Sequence, residues 1–125
     1  MGALLIGFAS SVICYLSATK LKHAFGYDDS LDVFGVHGVG GIVGAILTGV
    51  CAAPAFGGVG LPEGATIGSQ VFAQFKSVIV TIVWSALVSG ITLFILDKVI
   101  GLRVSAEVQN MGLDLAEHNE DAYSR

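Results

Sequence analysis

Three long apolar stretches dominate the chain, separated by two segments that contain charged or turn-forming residues. Residues 2–19 and 33–53 are almost uninterrupted runs of apolar and small side chains, and residues 69–100 form a longer run of the same kind. A helix needs about 20 such residues to cross the hydrocarbon core of a bilayer. The pattern therefore predicts three transmembrane helices, the third long enough, at about 48 Å, to tilt or protrude.

The composition indicates that lipid, rather than water, surrounds these helices. Charged residues make up 13% of the chain, whereas a soluble domain typically has about a quarter. Residues 1–19 and 33–62 contain no Lys, Arg, Asp or Glu. The net charge of −4 collects in the first connecting segment and in the C-terminal residues. It therefore describes local segments and does not indicate nucleic-acid binding.

The distribution of basic residues predicts how the helices are oriented. Lys20 and Lys22 follow the first stretch, Lys98 and Arg103 flank the end of the third, and the Gly-rich segment 54–68 has no basic residue. Because basic residues mark the cytoplasmic side of a membrane protein, we expect the first connection and the C-terminus to be cytoplasmic. The chain is thus predicted to have a membrane region, residues 1–100, and a cytoplasmic tail, residues 101–125.

The segment Asp32–Gly44, with the sequence DVFGVHGVGGIVG, contains the candidate chemistry of the membrane region. On a helix, Gly40, Gly41 and Gly44 share a face with His37. Glycine is unfavourable inside a helix, so its concentration here predicts close approach of another helix. Two interpretations of His37 remain open at this point. It forms a hydrogen bond across a helix pair, or it lines a conduction path, since ionisable residues at membrane depth often mark such paths.

The chain resembles the C-terminal third of the ammonium transporter (Amt) family over essentially all of its 125 residues. The resemblance is carried by DVFGVHGVGGIVG, by GGVG at residues 57–60, by TIVWS at residues 81–85 and by the tail pattern GLRV, GLD and HNEDAY. It implies an all-α membrane protein whose three transmembrane helices are part of an eleven-helix bundle that forms a trimer. It also implies ammonium or ammonia transport for nitrogen uptake across the bacterial plasma membrane, with no enzyme activity, cofactor or metal.

The resemblance also implies roles for individual residues of the membrane region. His37 matches the second of two pore histidines, and Val33 matches a position in the pore wall. Asp32 matches an acidic residue at the cytoplasmic start of the same helix. We expect Asp32 to cap that helix, because a negative charge is favourable at a helix N-terminus.

The tail resembles the family's regulatory segment, which supports docking of a PII signalling protein. The tail residues that match are Arg103, Gly112, Asp114, His118, Glu120 and Tyr123. Asn119 departs from the pattern, because the family usually has glycine there. Asparagine tolerates a positive φ better than most residues, so we expect the local turn to persist.

The first pore histidine of the family lies on a helix upstream of this sequence. We therefore expect the chain to be a fragment that is inactive alone and acts with the remaining transporter helices and its trimer partners. The alternatives are a structural subunit or a small haem- or quinone-binding membrane anchor. Haem ligation usually needs histidines on two helices, whereas His23 falls in a predicted loop and His118 in the tail, which leaves only His37.

Overall fold

A computed structural model describes residues 1–121 of the chain. Its helices are α1 (Gly2–Phe25), α2 (Phe34–Cys51), α3 (Ile67–Val99), α4 (Ala106–Met111) and α5 (Leu113–His118), with a 3₁₀ turn at Pro54–Phe56. The first three are each long and apolar enough to cross a membrane. They confirm the all-α fold class with three predicted spans. The chain divides into two compact units, residues 1–83 and 84–125.

Helix α1 is longer than its apolar stretch predicted. We expected it to end at Thr19, but it continues through a π-helical turn, Ser17–Leu21, to Phe25. It stops at Gly26, which has a φ of 61° and donates its N–H to the carbonyl of Lys22. Hydropathy marks the part of a helix that suits lipid, whereas a left-handed glycine marks the end of its hydrogen bonding. Lys22 therefore lies on the helix rather than in the first connection.

Helices α1 and α2 pack against each other as an antiparallel pair through small residues. The close contacts, from one end of the pair to the other, join Gly2 to Cys51, Cys14 to Gly40 and Ala18 to Gly35. A Cβ atom on Gly35 would lie 3.0–3.2 Å from the backbone N, Cα and Cβ of Ala18. Small residues allow such backbone approach between membrane helices. Cys14 lies against Gly40, about 16 Å along α2 from Cys51, so the two thiols are too far apart to form a disulfide.

Helix α3 begins at Ile67, two residues before the predicted start. Thr66 caps it: Thr66 Oγ1 accepts from Ser69 N at 3.1 Å, and Ser69 Oγ accepts from Thr66 N at 2.9 Å. This reciprocal pair satisfies N–H groups that an α-helix leaves unbonded at its start. The first turns of α3 then lie against Gly49, where a Cβ would be 3.2 Å from Val71 Cα.

Most apolar side chains of the described residues face outward. Within residues 1–121, the buried apolar residues are Cys51 and Ala53. None of the residues of α3, which lies wholly within this range, is buried. A water-soluble protein buries such side chains, because apolar surface in water is unfavourable. The surface therefore fits lipid or further helices as its surroundings.

Candidate functional site

His37 lies on an open face of α2. Val33 and His37 are both exposed, and a Cβ on Gly41 or Gly44 would meet no atom within 4 Å in the described part of the chain. Thr48 continues this face and satisfies its own hydroxyl by donating to the Gly44 carbonyl at 2.7 Å. We call these five residues the His37 face; it extends along the helix for about 22 Å. It offers an imidazole within a strip of otherwise small or apolar surface.

The predicted packing glycines divide between two faces of α2. A Cβ on Gly40 would lie 3.0 Å from Cys14 Sγ, so Gly40 packs on α1, while Gly41 and Gly44 belong to the His37 face. The glycines of α2 that lie against the backbone of α1 and α3 are instead Gly35 and Gly49. Sequence reasoning missed these two, because a glycine's spacing from His37 does not show which neighbouring helix it meets.

His37 stands on a π-helical turn, Phe34–Gly38. A π turn leaves some backbone groups outside the regular i→i−4 pattern and often occurs at functional sites. The carbonyl of Val36, in this turn, accepts a hydrogen bond from Cys14 Sγ on α1 at 3.6 Å. The backbone of the residue before His37 is therefore bonded to the neighbouring helix, while His37 itself is exposed.

Asp29, rather than Asp32, caps the start of α2. Asp29 Oδ1 accepts from Val33 N and Asp29 Oδ2 from Phe34 N, both at 2.9 Å. We expected the Asp32 side chain in this role, but its carboxylate lies 2.7 Å from Lys22 Nζ. Asp32 has a φ of 54°, in the left-handed region. This backbone conformation accompanies a tight turn in which the residue three positions earlier reaches the free N–H groups.

The charged group on α1 opposite this turn is Lys22. Its ammonium donates to the backbone carbonyl of Asp29 as well as to the carboxylate of Asp32. The two side chains of the ion pair are 25% and 40% exposed. The sequence did not indicate the pairing, because Lys22 was expected to lie in a loop.

Replacing Asp29 with alanine is expected to lower the free energy of unfolding by about 1 kcal/mol, the usual cost of removing a helix cap. The measurement is the labelling of the Cys51 thiol, 8% exposed and in contact with Gly2 of α1, during a titration of the chain in mixed micelles with sodium dodecyl sulfate. Ser30→Ala, in the same exposed turn, is the matched control. Equal stability of the two variants would show that the cap is unimportant.

The matching tail residues gather around α5. Gly112, with a φ of 103°, separates α4 from α5; Asp114 lies in the first turn of α5 and His118 is its last residue. Asn119 has a φ of 52° and ends the helix, and Glu120 N donates to the Asp114 carbonyl at 3.1 Å. Asn119 N also donates to the Leu115 carbonyl at 3.1 Å, so the turn expected at Asn119 is formed, as the αL type of helix end. Arg103 precedes α4, and Tyr123 lies outside the described residues.

Comparison with known proteins finds one family model and several relatives that match this chain. The model of the Ammonium Transporter Family matches residues 1–123. The chain is 48% identical over 126 residues to the ammonium transporter of Aquifex aeolicus, and 43% identical over 130 residues to that of Mycobacterium tuberculosis. It is 35% identical over 123 residues to the ammonium transporter of Bacillus subtilis.

These matches cover nearly all of this chain but a minor part of each relative. They include 99%, 98% and 97% of the chain, and 29%, 27% and 30% of the relatives' lengths, in the same order. The chain therefore spans about three-tenths of the length of the curated relatives it matches.

Proposed function

The chain belongs to the ammonium transporter family, and from this premise we propose that it forms part of a membrane transporter for ammonium or ammonia in which His37 lines the conduction path. His37 and Val33 supply one wall of that path. The helices that complete it are those that the longer relatives have in addition. We further propose a trimeric assembly in the bacterial plasma membrane, with the chain's C-terminus in the cytoplasm.

The observation that carries this proposal is the open His37 face. An imidazole at membrane depth is costly unless it has a polar partner or a polar path beside it. Gly41 and Gly44 have no side chains that would block the space beside the imidazole ring. A small solute can therefore approach the ring from the exposed side of α2. A neutral imidazole offers one donor and one acceptor nitrogen, which suits a small hydrogen-bonding solute or the transfer of a proton.

A chimera tests the proposal in a complete transporter. This chain replaces the matching segment of the Aquifex aeolicus ammonium transporter, and uptake of ammonium is measured in proteoliposomes and by growth of a bacterial strain that lacks its own ammonium transporter. We expect the chimera to transport ammonium, and the chain expressed alone to transport none. The unmodified relative is the positive control. A chimera that inserts normally but does not transport would contradict the proposal.

The tail is proposed to bind a PII signalling protein on the cytoplasmic face. Its support is the formed helix end at Asn119, which retains the left-handed conformation that glycine would supply. Deletion of residues 101–125 from the chimera is expected to abolish PII binding to membrane vesicles, while Asn119→Gly retains it. Co-sedimentation of PII with the vesicles is the measurement. Unchanged binding after the deletion would place the PII contact elsewhere.

The structural-subunit and haem- or quinone-anchor alternatives have no observation in their favour. The family match runs through all three membrane helices and most of the tail. The transporter reading is therefore the one that the fold and the relatives support.

A further inference from the structure

The connection between α1 and α2 is held by three charged residues, Lys22, Asp29 and Asp32, which we call the lysine latch. Lys22 Nζ lies 2.7 Å from Asp32 Oδ1 and also donates to the Asp29 backbone carbonyl. The Asp29 carboxylate in turn accepts from Val33 N and Phe34 N. The ammonium of Lys22 thus binds the backbone carbonyl of Asp29, the residue that caps α2, and the carboxylate of Asp32.

The first turn of α2 makes two further contacts, one with the connecting segment and one with α1. The ring of Phe34 packs edge-on against Tyr27, with 5.7 Å between ring centroids. Gly35 lies directly against Ala18, which belongs to the π turn of α1. These contacts and the lysine latch together join the start of α2 to α1 and to the connecting segment.

The segment that the latch fixes carries the imidazole. The π turn Phe34–Gly38 begins at the second amide bonded by Asp29, and His37 is its fourth residue. A change in where the helix begins, or in whether this turn is π or α, rotates His37 relative to the rest of α2, because the two helix types differ in residues per turn. The cap formed by Asp29 is thus directly continuous with the turn that carries His37.

We propose that Lys22 is a positioning residue. Through Asp29 and Asp32, it sets the rotation of His37 about the axis of α2 and its position along that axis. The expected effect of Lys22 on ammonium uptake rests on the proposed function. Its expected effect on the placement of His37 does not. The ion pair is partly shielded from water, and charge-assisted hydrogen bonds are stronger than neutral ones. Removing the ammonium leaves Asp32 without its partner and releases the Asp29 carbonyl.

The structural part is tested on the full 125-residue chain in phosphatidylcholine bilayers by NMR. In Lys22→Met, hydrogen exchange at the amides of Val33 and Phe34 is expected to accelerate about 10-fold, and the His37 ring ¹⁵N signals are expected to shift. Hydrogen exchange in the second half of α2 is expected to stay unchanged, because the substitution frees only the start of the helix. Faster exchange along the whole helix would instead indicate general destabilisation. Unchanged exchange at both amides, or unchanged His37 signals, would overturn the proposal.

Three further variants separate the latch from nonspecific effects of removing a charge. Lys20→Met is the matched control, because Lys20 lies on the same helix and forms no ion pair among residues 1–121. Lys22→Arg keeps the positive charge and should leave hydrogen exchange at Val33 and Phe34 and the His37 ring signals as they are in the unsubstituted chain. Asp32→Asn leaves the bond from Lys22 to the Asp29 carbonyl in place, so it should change the same signals by a smaller amount and add nothing in the double variant with Lys22→Met. Asparagine suits this position because it tolerates a positive φ. An effect of Lys20→Met equal to that of Lys22→Met would overturn the assignment.

The functional part is tested in the Aquifex aeolicus chimera. Lys22→Met is expected to lower the maximal rate of ammonium uptake per inserted protein about 10-fold, as misplacement of a working group does, with the half-saturating concentration unchanged within about twofold. A change confined to the half-saturating concentration, or no change, would overturn the positioning role. If the unsubstituted chimera does not transport, the proposed function fails, and the NMR result still decides whether the latch positions His37.

Discussion

Replacing His37 with alanine is expected to reduce ammonium uptake by the chimera about 30-fold. The His37 face otherwise consists of glycine, valine and a threonine whose hydroxyl already donates to its own helix. A polar solute that passes this strip without the imidazole loses a hydrogen-bonding partner, at a cost of about 2 kcal/mol in an apolar setting, which corresponds to about 30-fold in rate. Initial uptake rates in proteoliposomes, normalised to inserted protein, are the measurement.

His23→Ala is the matched control for this prediction. His23 lies in the last turn of α1 and is exposed, but it does not belong to the His37 face. We expect its replacement to leave uptake within about twofold of the unsubstituted chimera, as for most surface substitutions. If His37→Ala transports as fast and as selectively as His23→Ala, His37 serves helix packing rather than conduction.

Replacing Gly35 with leucine is expected to destabilise the α1–α2 pair by about 3 kcal/mol. A Cβ at Gly35 would already lie within 3.2 Å of three atoms of Ala18, two of which belong to the backbone. Backbone cannot yield as a flexible side chain does, so the helices must separate, and overpacking of this kind usually costs 1–3 kcal/mol. Labelling of the Cys51 thiol during the same detergent titration reports the separation of the two helices.

Gly41→Leu provides a control on the same helix with the same chemical change. A Cβ at Gly41 meets no atom within 4 Å in the described part of the chain. Leucine also has a higher helix propensity than glycine. We therefore expect this variant of the isolated chain to be at least as stable as the unsubstituted chain. Equal destabilisation by the two substitutions would contradict the packing seen at Gly35.

The same Gly41→Leu substitution should behave differently in the chimera. There we expect it to reduce ammonium uptake strongly, because the His37 face would adjoin the conduction path and the remaining helices. The two assays together therefore distinguish a glycine needed for contact within this chain from a glycine needed for contact with the rest of the transporter.

The pattern along the chain was sufficient to predict the fold class and the three membrane-spanning helices. Apolar runs of about 20 residues have one stable arrangement in lipid, a helix that satisfies its own backbone hydrogen bonds. The observed helices α2 and α3 start and end within about two residues of the predicted stretches. Helix α1 departs from its prediction because its end is set by Gly26 and not by the loss of hydropathy at Lys20.

The motif around His37, together with GGVG, TIVWS and the tail pattern, was sufficient to predict the family, which the comparisons confirm over residues 1–123. A run such as VHGVGG is specific in sequence, and its recognition needs no knowledge of which atoms meet. The role of His37 itself stays a prediction, since the ring faces the side of α2 that no other described element of this chain covers.

The sequence by itself thus determined the helices, the surrounding solvent and the family, because these follow from local composition and from a recognisable motif. Only the tertiary structure decided which glycines of α2 pack on a neighbouring helix, namely Gly35, Gly40 and Gly49, and that Asp29 rather than Asp32 caps α2. It also decided that Lys22 reaches across to Asp32. These contacts depend on how two helices rotate about their axes and on a turn with a positive φ, neither of which spacing along the chain determines.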